Sequence, residues 1–169
     1  MDKLKDELQK TVREMTTFDK FKNQVEMTVT SEGLRIELLE TEKGLFFPSG
    51  VAEPTDNAKD LLVKLAQELG KLPNKISIEG HTDSKPFARN RDYGNWELSA
   101  DRAHAARRLM QANGLSPQQV TQVRGFADQR LRKPKEPEDP ANRRISVIVE
   151  YRKKEAQLAD AAPAGAAAK

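Results

Sequence analysis

The sequence predicts an α/β protein, a two-layer sandwich in which a mixed β-sheet carries helices on one face, preceded by an N-terminal amphipathic helix. Three observations predict it. Apolar and polar residues alternate in two adjoining runs before residue 40 and again over 145–151, which is strand periodicity. Two longer stretches between these runs repeat their apolar residues every three or four positions, which is helix periodicity. A strand–helix–strand succession at the centre then favours a parallel pair with a right-handed crossover, with both helices covering one sheet face.

From Lys3 to Gln24 the residues Leu4, Leu8, Val12, Met15, Phe18 and Phe21, with Val25 just beyond, form one narrow apolar seam of a long helix. Such a seam packs on its own domain, pairs with a second copy or connects to a membrane anchor. Val25, Met27 and Val29 then alternate, Ser31-Glu32-Gly33 turns the chain, and Leu34, Ile36 and Leu38 alternate again as a hairpin. Gly44-Leu45-Phe46-Phe47-Pro48-Ser49-Gly50 is an apolar loop bounded by glycines. Pro54-Thr55-Asp56 starts a helix whose stripe is Ala58, Leu61, Leu62, Leu65 and Leu69, with Gly70 as its stop.

Ile76 to Gly80 is a short strand that runs into His81-Thr82-Asp83, and a polar loop follows to residue 94. A helix beginning between Asn95 and Ser99 carries Leu98, Ala105, Ala106, Leu109 and Met110 and ends at Asn113-Gly114. Ser116-Pro117-Gln118-Gln119 has the residues of a capped helical turn. Val120 to Arg124 is a brief strand, 126–142 a proline-containing loop, and Ile145, Val147, Val149 and Tyr151 the last strand. The expected organisation is therefore an amphipathic helix or linker at 1–24, a domain at 25–152 and a disordered alanine-rich tail at 153–169.

Composition narrows the function classes. With 33% charged residues, 37% apolar residues and a mean hydropathy of -0.76, the chain is well solvated around a modest core. The net charge is only +3 with both signs interleaved, and aromatics are 5%, so phosphate stripes and stacking platforms for nucleic acid are lacking. There is no cysteine, which excludes disulfides, thiol catalysis and thiolate metal sites. No stretch approaches the roughly 20 apolar residues that span a bilayer. Met1-Asp2-Lys3-Leu4 does not read as a signal peptide either, so any exporting or anchoring segment is expected to lie outside these 169 residues.

Polar residues crowd where the central strand emits its loop, the usual ligand position of α/β sheets. His81, Thr82 and Asp83 sit there, with Asn95, Ser99, Asp101 and Arg102 at the start of the next helix, whose N-terminus favours anions. Arg102 offers a fork for a carboxylate and Asp83 an acceptor for an ammonium, together a site for a zwitterion. The structural alternative stays open: an exposed Asp83–Arg102 pair stabilises by only ~0–1 kcal/mol. Asn95 or Ser99 could equally serve as a helix cap contributing about 0.5–2 kcal/mol. His81 could be a structural histidine bonded to a neighbouring loop.

Enzymatic arrangements are poorly supported. A His81/Asp83/Ser99 triad has no nucleophile elbow, and His81, Asp83 and His104 lack the spacing of a metal site. No phosphate-cradling glycine loop is present. Neither a cofactor nor a metal is expected.

Four ordered blocks carry a resemblance. They are Ile78-Glu79-Gly80-His81-Thr82-Asp83; Asn95-Trp96-Glu97-Leu98-Ser99-Ala100-Asp101-Arg102-Ala103; Gly125-Phe126-Ala127-Asp128; and Asn142-Arg143-Arg144-Ile145. Over about residues 34–150 the sequence resembles the OmpA-like peptidoglycan-binding domain family. Gly33 to Leu38, the Leu45 to Gly50 loop and the long insert before Asn95 resemble its flagellar-stator branch more than its outer-membrane members.

The resemblance implies a non-catalytic grip on the diaminopimelate of the peptidoglycan stem peptide, Asp83 meeting the ammonium and Arg102 the carboxylate. Thr82, Asn95, Leu98 and Arg143 would lie in or beside the groove. It further implies a homodimer that anchors an ion-conducting stator to the wall, as the periplasmic domain of an inner-membrane protein whose channel-forming partner binds through a segment absent here. The alternatives are an outer-membrane or lipoprotein anchor of the same fold and, further off, a peptide-cleaving enzyme of the wall. At Ser84-Lys85-Pro86 the sequence departs from the family's glycine-containing turn, so the 84–94 insert is expected to reshape or cover the groove.

Overall fold

The computed structural model describes residues 1–14, 23–44 and 46–152. In chain order the elements are α1 (Asp2–Arg13), β1 (Val25–Val29), β2 (Gly33–Leu39), α2 (Asp56–Leu69), β3 (Ile76–His81), β4 (Ala88–Asn90), β5 (Tyr93–Gly94), α3 (Asn95–Ala112), β6 (Val120–Gly125) and β7 (Arg144–Glu150). Five strands form a mixed sheet in the order β1-β2-β7-β3-β6, with β3 and β6 parallel and the other pairs antiparallel. The helices pack on one face, as the sequence predicted.

Strand alternation decides which face. Register sets Leu38 opposite Ile145, Ile36 opposite Val147 and Leu34 opposite Val149, and β3 continues the layer with Ile78 opposite Val147. These side chains are buried and meet Leu61, Leu62, Leu65 and Leu69 of α2 and Met110 of α3. The Thr55 hydroxyl caps α2 by accepting from the Ala58 amide, and Gly70 closes it, as expected.

Two glycines set the depth of α3. Gly80 and Gly125 are register partners on β3 and β6. A Cβ on Gly80 would lie 2.0 Å from the Ser99 carbonyl oxygen, and one on Gly125 within 2.8 Å of Ala100. The first turns of α3 therefore rest directly on strand backbone, which brings Arg102 beside the end of β3.

The opposite sheet face is polar. Glu79 is fully buried and accepts hydrogen bonds from Arg35 Nη1 (3.0 Å) and Arg124 Nη1 (2.7 Å), with His81 Nε2 at 3.3 Å. The 126–143 loop covers part of this face. Phe126 stacks on His81 at 5.1 Å, and Arg144 donates to the carbonyls of Arg130 and Asn142.

Several expectations are corrected. The helix expected over Lys3 to Gln24 is described only from Asp2 to Arg13 and Asn23 and Gln24 form a turn, while Val25 begins β1 as the hairpin reading expected, paired with Leu38. Met15, Phe18 and Phe21 of the expected seam, Leu45, and the tail at 153–169 lie outside the described residues. Ser116 to Gln119, read as a capped helical turn, forms a single turn closed by the Gln119 amide on the Ser116 carbonyl. The capping chemistry is present all the same: the Gln119 side chain accepts from the Ser116 amide, while its NH₂ donates to the carbonyls of Leu69, Leu72 and Asn74. The insert expected as a loop holds the small β4–β5 hairpin.

The seam of α1 packs on its own domain, against β1 and α2, with Leu8 buried in the common core and Leu4 half-buried beside it. Leu8→Ala is expected to lower stability by about 2–3 kcal/mol, read from a urea denaturation curve. Unchanged stability with an altered oligomeric state would make this seam a contact between copies instead.

Candidate functional site

Thr82 and Asp83 leave the end of β3, Asn95, Leu98 and Arg102 come from the first two turns of α3, and Arg143 precedes β7. All six line one cleft of about 300 Å³. The remaining wall comes from Glu40 after β2, Phe47, Ser49 and Gly50 of the apolar loop, and Lys85, Pro86 and Phe87 of the insert.

Glu40, which the sequence did not single out, is the hub. It is almost fully buried, and its Oε2 accepts from the amides of Phe46 and Phe47, both at 2.9 Å. Its Oε1 accepts from Arg143 Nε at 2.7 Å, and Arg143 Nη1 donates to Asp83 Oδ2 at 2.6 Å. Arg143 thus bridges both carboxylates of the cleft. Burial works against its charge, but the bonds to Glu40 and Asp83 outweigh that and raise its pKa. Buried Asn142 presents it by closing its own loop, donating to the carbonyls of Glu136 and Pro137 and accepting from the Lys133 amide.

Arg102 is bonded differently. Its Nε donates to the Val51 carbonyl and its Nη2 to the Pro48 carbonyl, both at 3.0 Å, and its guanidinium lies 5.0 Å from the Phe47 ring centroid. The direct Asp83–Arg102 pair of the structural alternative is not formed. Among the described residues Arg102 has no carboxylate partner, and its Nη1 has no hydrogen-bond partner. Burial pushes its pKa down, while Glu40 and, more weakly, Asp83 pull it up. A desolvated guanidinium held only by carbonyls and a ring face remains an incomplete ion pair, and an incoming carboxylate completes it.

Around these charges the backbone is fixed. Thr82 donates its hydroxyl to the Asp83 carbonyl and its amide to the Ala127 carbonyl. Asp83 Oδ1 accepts from the Lys85 amide at 2.9 Å, and the Asn95 NH₂ donates to the Lys85 carbonyl. Helix capping falls neither to Asn95 nor to Ser99: the Glu97 carboxylate accepts from the Gly94 amide, and Ser99 instead binds the Trp96 carbonyl and the Ala127 amide.

The triad and metal arrangements find no geometry. His81 turns its Nε2 to Glu79, its Nδ1 has no partner among the described residues, and burial lowers its pKa, as for a structural histidine. Ser99 is engaged elsewhere, as above. Among the described residues no three His, Asp or Glu side chains cluster to hold a metal ion, and no helix is long and apolar enough to cross a membrane.

Comparison with known proteins gives consistent matches. The OmpA family model matches residues 46–145. Motility protein B of Escherichia coli strain K12 is 39% identical over 126 residues, covering 74% of this chain and 41% of that protein. The chain therefore spans about two fifths of that relative's length. A MotB-like protein from Desulfovibrio vulgaris superposes with a TM-score of 0.72 at 20% identity, covering 89% of this chain and 94% of that one. The cell wall anchor of the T6SS from Pseudomonas aeruginosa gives 0.66 at 24%, covering 80% and 94%. At those identities the two structures show the shared fold.

Proposed function

This chain belongs to the OmpA family, and we propose that it holds peptidoglycan without catalysis, gripping the diaminopimelate of a stem peptide in the cleft between β3 and α3. One observation carries the reading. Arg102 is a buried cation without a carboxylate partner among the described residues, set in the same cleft as the Asp83 carboxylate. Arg102 receives the ligand carboxylate. Asp83 receives the ammonium on the lone pairs that Arg143 and the Lys85 amide leave open, since an ionised carboxylate has about four acceptor positions. Thr82 and Asn95 fix the loop that carries Asp83, and Leu98 supplies an apolar wall.

Likeness to Motility protein B favours service as the periplasmic wall anchor of a flagellar stator, within an inner-membrane protein. Homodimerisation and a channel-forming partner subunit belong to the same reading.

Calorimetric titration with free diaminopimelate tests the cleft. Arg102→Ala and Asp83→Asn are each expected to weaken binding roughly 10- to 100-fold, the effect of a lost charge-assisted hydrogen bond. Arg102→Lys keeps the charge without the fork and should recover only part of the affinity. Unchanged binding in folded variants would remove these residues from the site.

A further inference from the structure

Arg143 bridges both carboxylates of the cleft, and this leaves a charge surplus. The cleft is lined by three cations, Lys85, Arg102 and Arg143, and two carboxylates, Glu40 and Asp83. Arg102 therefore stands without a carboxylate, and so does Lys85, whose ammonium has no ion-pair partner among the described residues. A diaminopimelate end offers one ammonium and one carboxylate. It satisfies Asp83 and Arg102 and leaves the surplus at Lys85.

Lys85 is also firmly placed. Its amide donates to Asp83 Oδ1 at 2.9 Å and its carbonyl accepts from Asn95 at 3.2 Å, so its backbone is clamped between two cleft residues while its side chain stays exposed. The insert it opens is tied down further along. Arg89 donates to the Gly50 carbonyl and lies 4.3 Å from the Tyr93 ring centroid, and the Tyr93 hydroxyl donates to Asp101 at 2.6 Å. Phe87 meets Tyr93 edge-on at 6.2 Å. The insert is thus a fastened wall of the cleft whose first residues include the exposed Lys85.

We propose that Lys85 is a specificity-determining residue that reads a further carboxylate of the same stem peptide, beyond the diaminopimelate end, so that the cleft prefers a ligand with more carboxylates than ammoniums. This rests on the peptide reading above. Amidation of that further carboxylate, a common modification chemistry for peptides, would then weaken the grip without touching the Asp83–Arg102 pair.

The probes are an N-acetylated stem tetrapeptide, Ala–γ-D-Glu–diaminopimelate–D-Ala, and the same peptide with its Glu and terminal Ala carboxyls converted to amides. Wild-type chain at low salt should bind the free-acid peptide roughly three- to fivefold more tightly than the diamide, and the preference should shrink in high salt. Lys85→Gln should abolish the preference, so that the free-acid peptide binds no more tightly than the diamide. Equal wild-type affinities, or a preference that survives in Lys85→Gln, would overturn the role of Lys85 and leave the diaminopimelate site standing. Binding of neither peptide would overturn both.

Discussion

Glu40→Ala is expected to lower folding stability by about 3–5 kcal/mol and to abolish ligand binding, the largest effect foreseen for any cleft residue. The carboxylate is almost fully buried and holds three donors: the amides of Phe46 and Phe47 and Nε of Arg143. Its removal takes the acceptor from both amides of the loop that ends in the Pro48 and Val51 carbonyls. Those carbonyls orient Arg102. Arg143 loses one of its two anions at the same time. Glu40→Gln, which keeps one oxygen acceptor, should retain more stability but bind weakly. Chemical denaturation and peptide titration read the two effects separately. A folded Glu40→Ala protein that binds like wild type would contradict the account of how the cleft is held together.

Glu79→Gln is expected to lower stability by about 2–3 kcal/mol at neutral pH and to flatten the acid limb of the stability curve. Burial alone would raise the Glu79 pKa. The hydrogen bonds from His81, Arg35 and Arg124, with the charge of Arg35, outweigh burial and hold it at about 2 against an ordinary value of 4.5. The folded-state pKa lies below the unfolded one. Its contribution is therefore complete above pH 4.5 and is lost as pH falls from there towards 2. Wild type should lose stability through that window, and Glu79→Gln should lose much less. Parallel acid profiles for the two proteins would show that the network under the sheet does not depend on this charge.

Most of the fold was legible because its signals are local. Alternation placed β1, β2, β3 and β7, and the apolar stripe with Thr55 and Gly70 placed α2. What escaped has no local signature. The helix at the N-terminus was drawn to Gln24 because a spacing of three or four continues through Phe21 and Val25; the described helix ends at Arg13, and Asn23 and Gln24 already turn the chain into β1. The β4–β5 hairpin is two to three exposed residues a side, too short to show a period.

Thr82, Asp83, Asn95 and Arg102 stand at the end of a strand and the start of a helix, where side chains of a given type carry positional meaning, whereas Leu98 and Arg143 were anticipated only through the family resemblance. Glu40 sits in a Glu-rich stretch and gains its role from Arg143, 103 residues later, so no spacing rule finds it. The partners of Arg102 are backbone carbonyls, which no residue type announces. The pairing of Asp83 with Arg143 rather than Arg102 likewise depends on where the 133–142 loop folds, which Asn142 decides through bonds to its own loop.

In the proposed function this cleft grips the cell wall through one carboxylate, Asp83, and one unpaired guanidinium, Arg102. Co-sedimentation of the pure chain with insoluble peptidoglycan, alongside folded Asp83→Ala and Arg102→Ala proteins, tests it most directly. The wild-type chain is expected to pellet with the wall material and both variants to remain in the supernatant. Pelleting of both variants to the wild-type extent would contradict it.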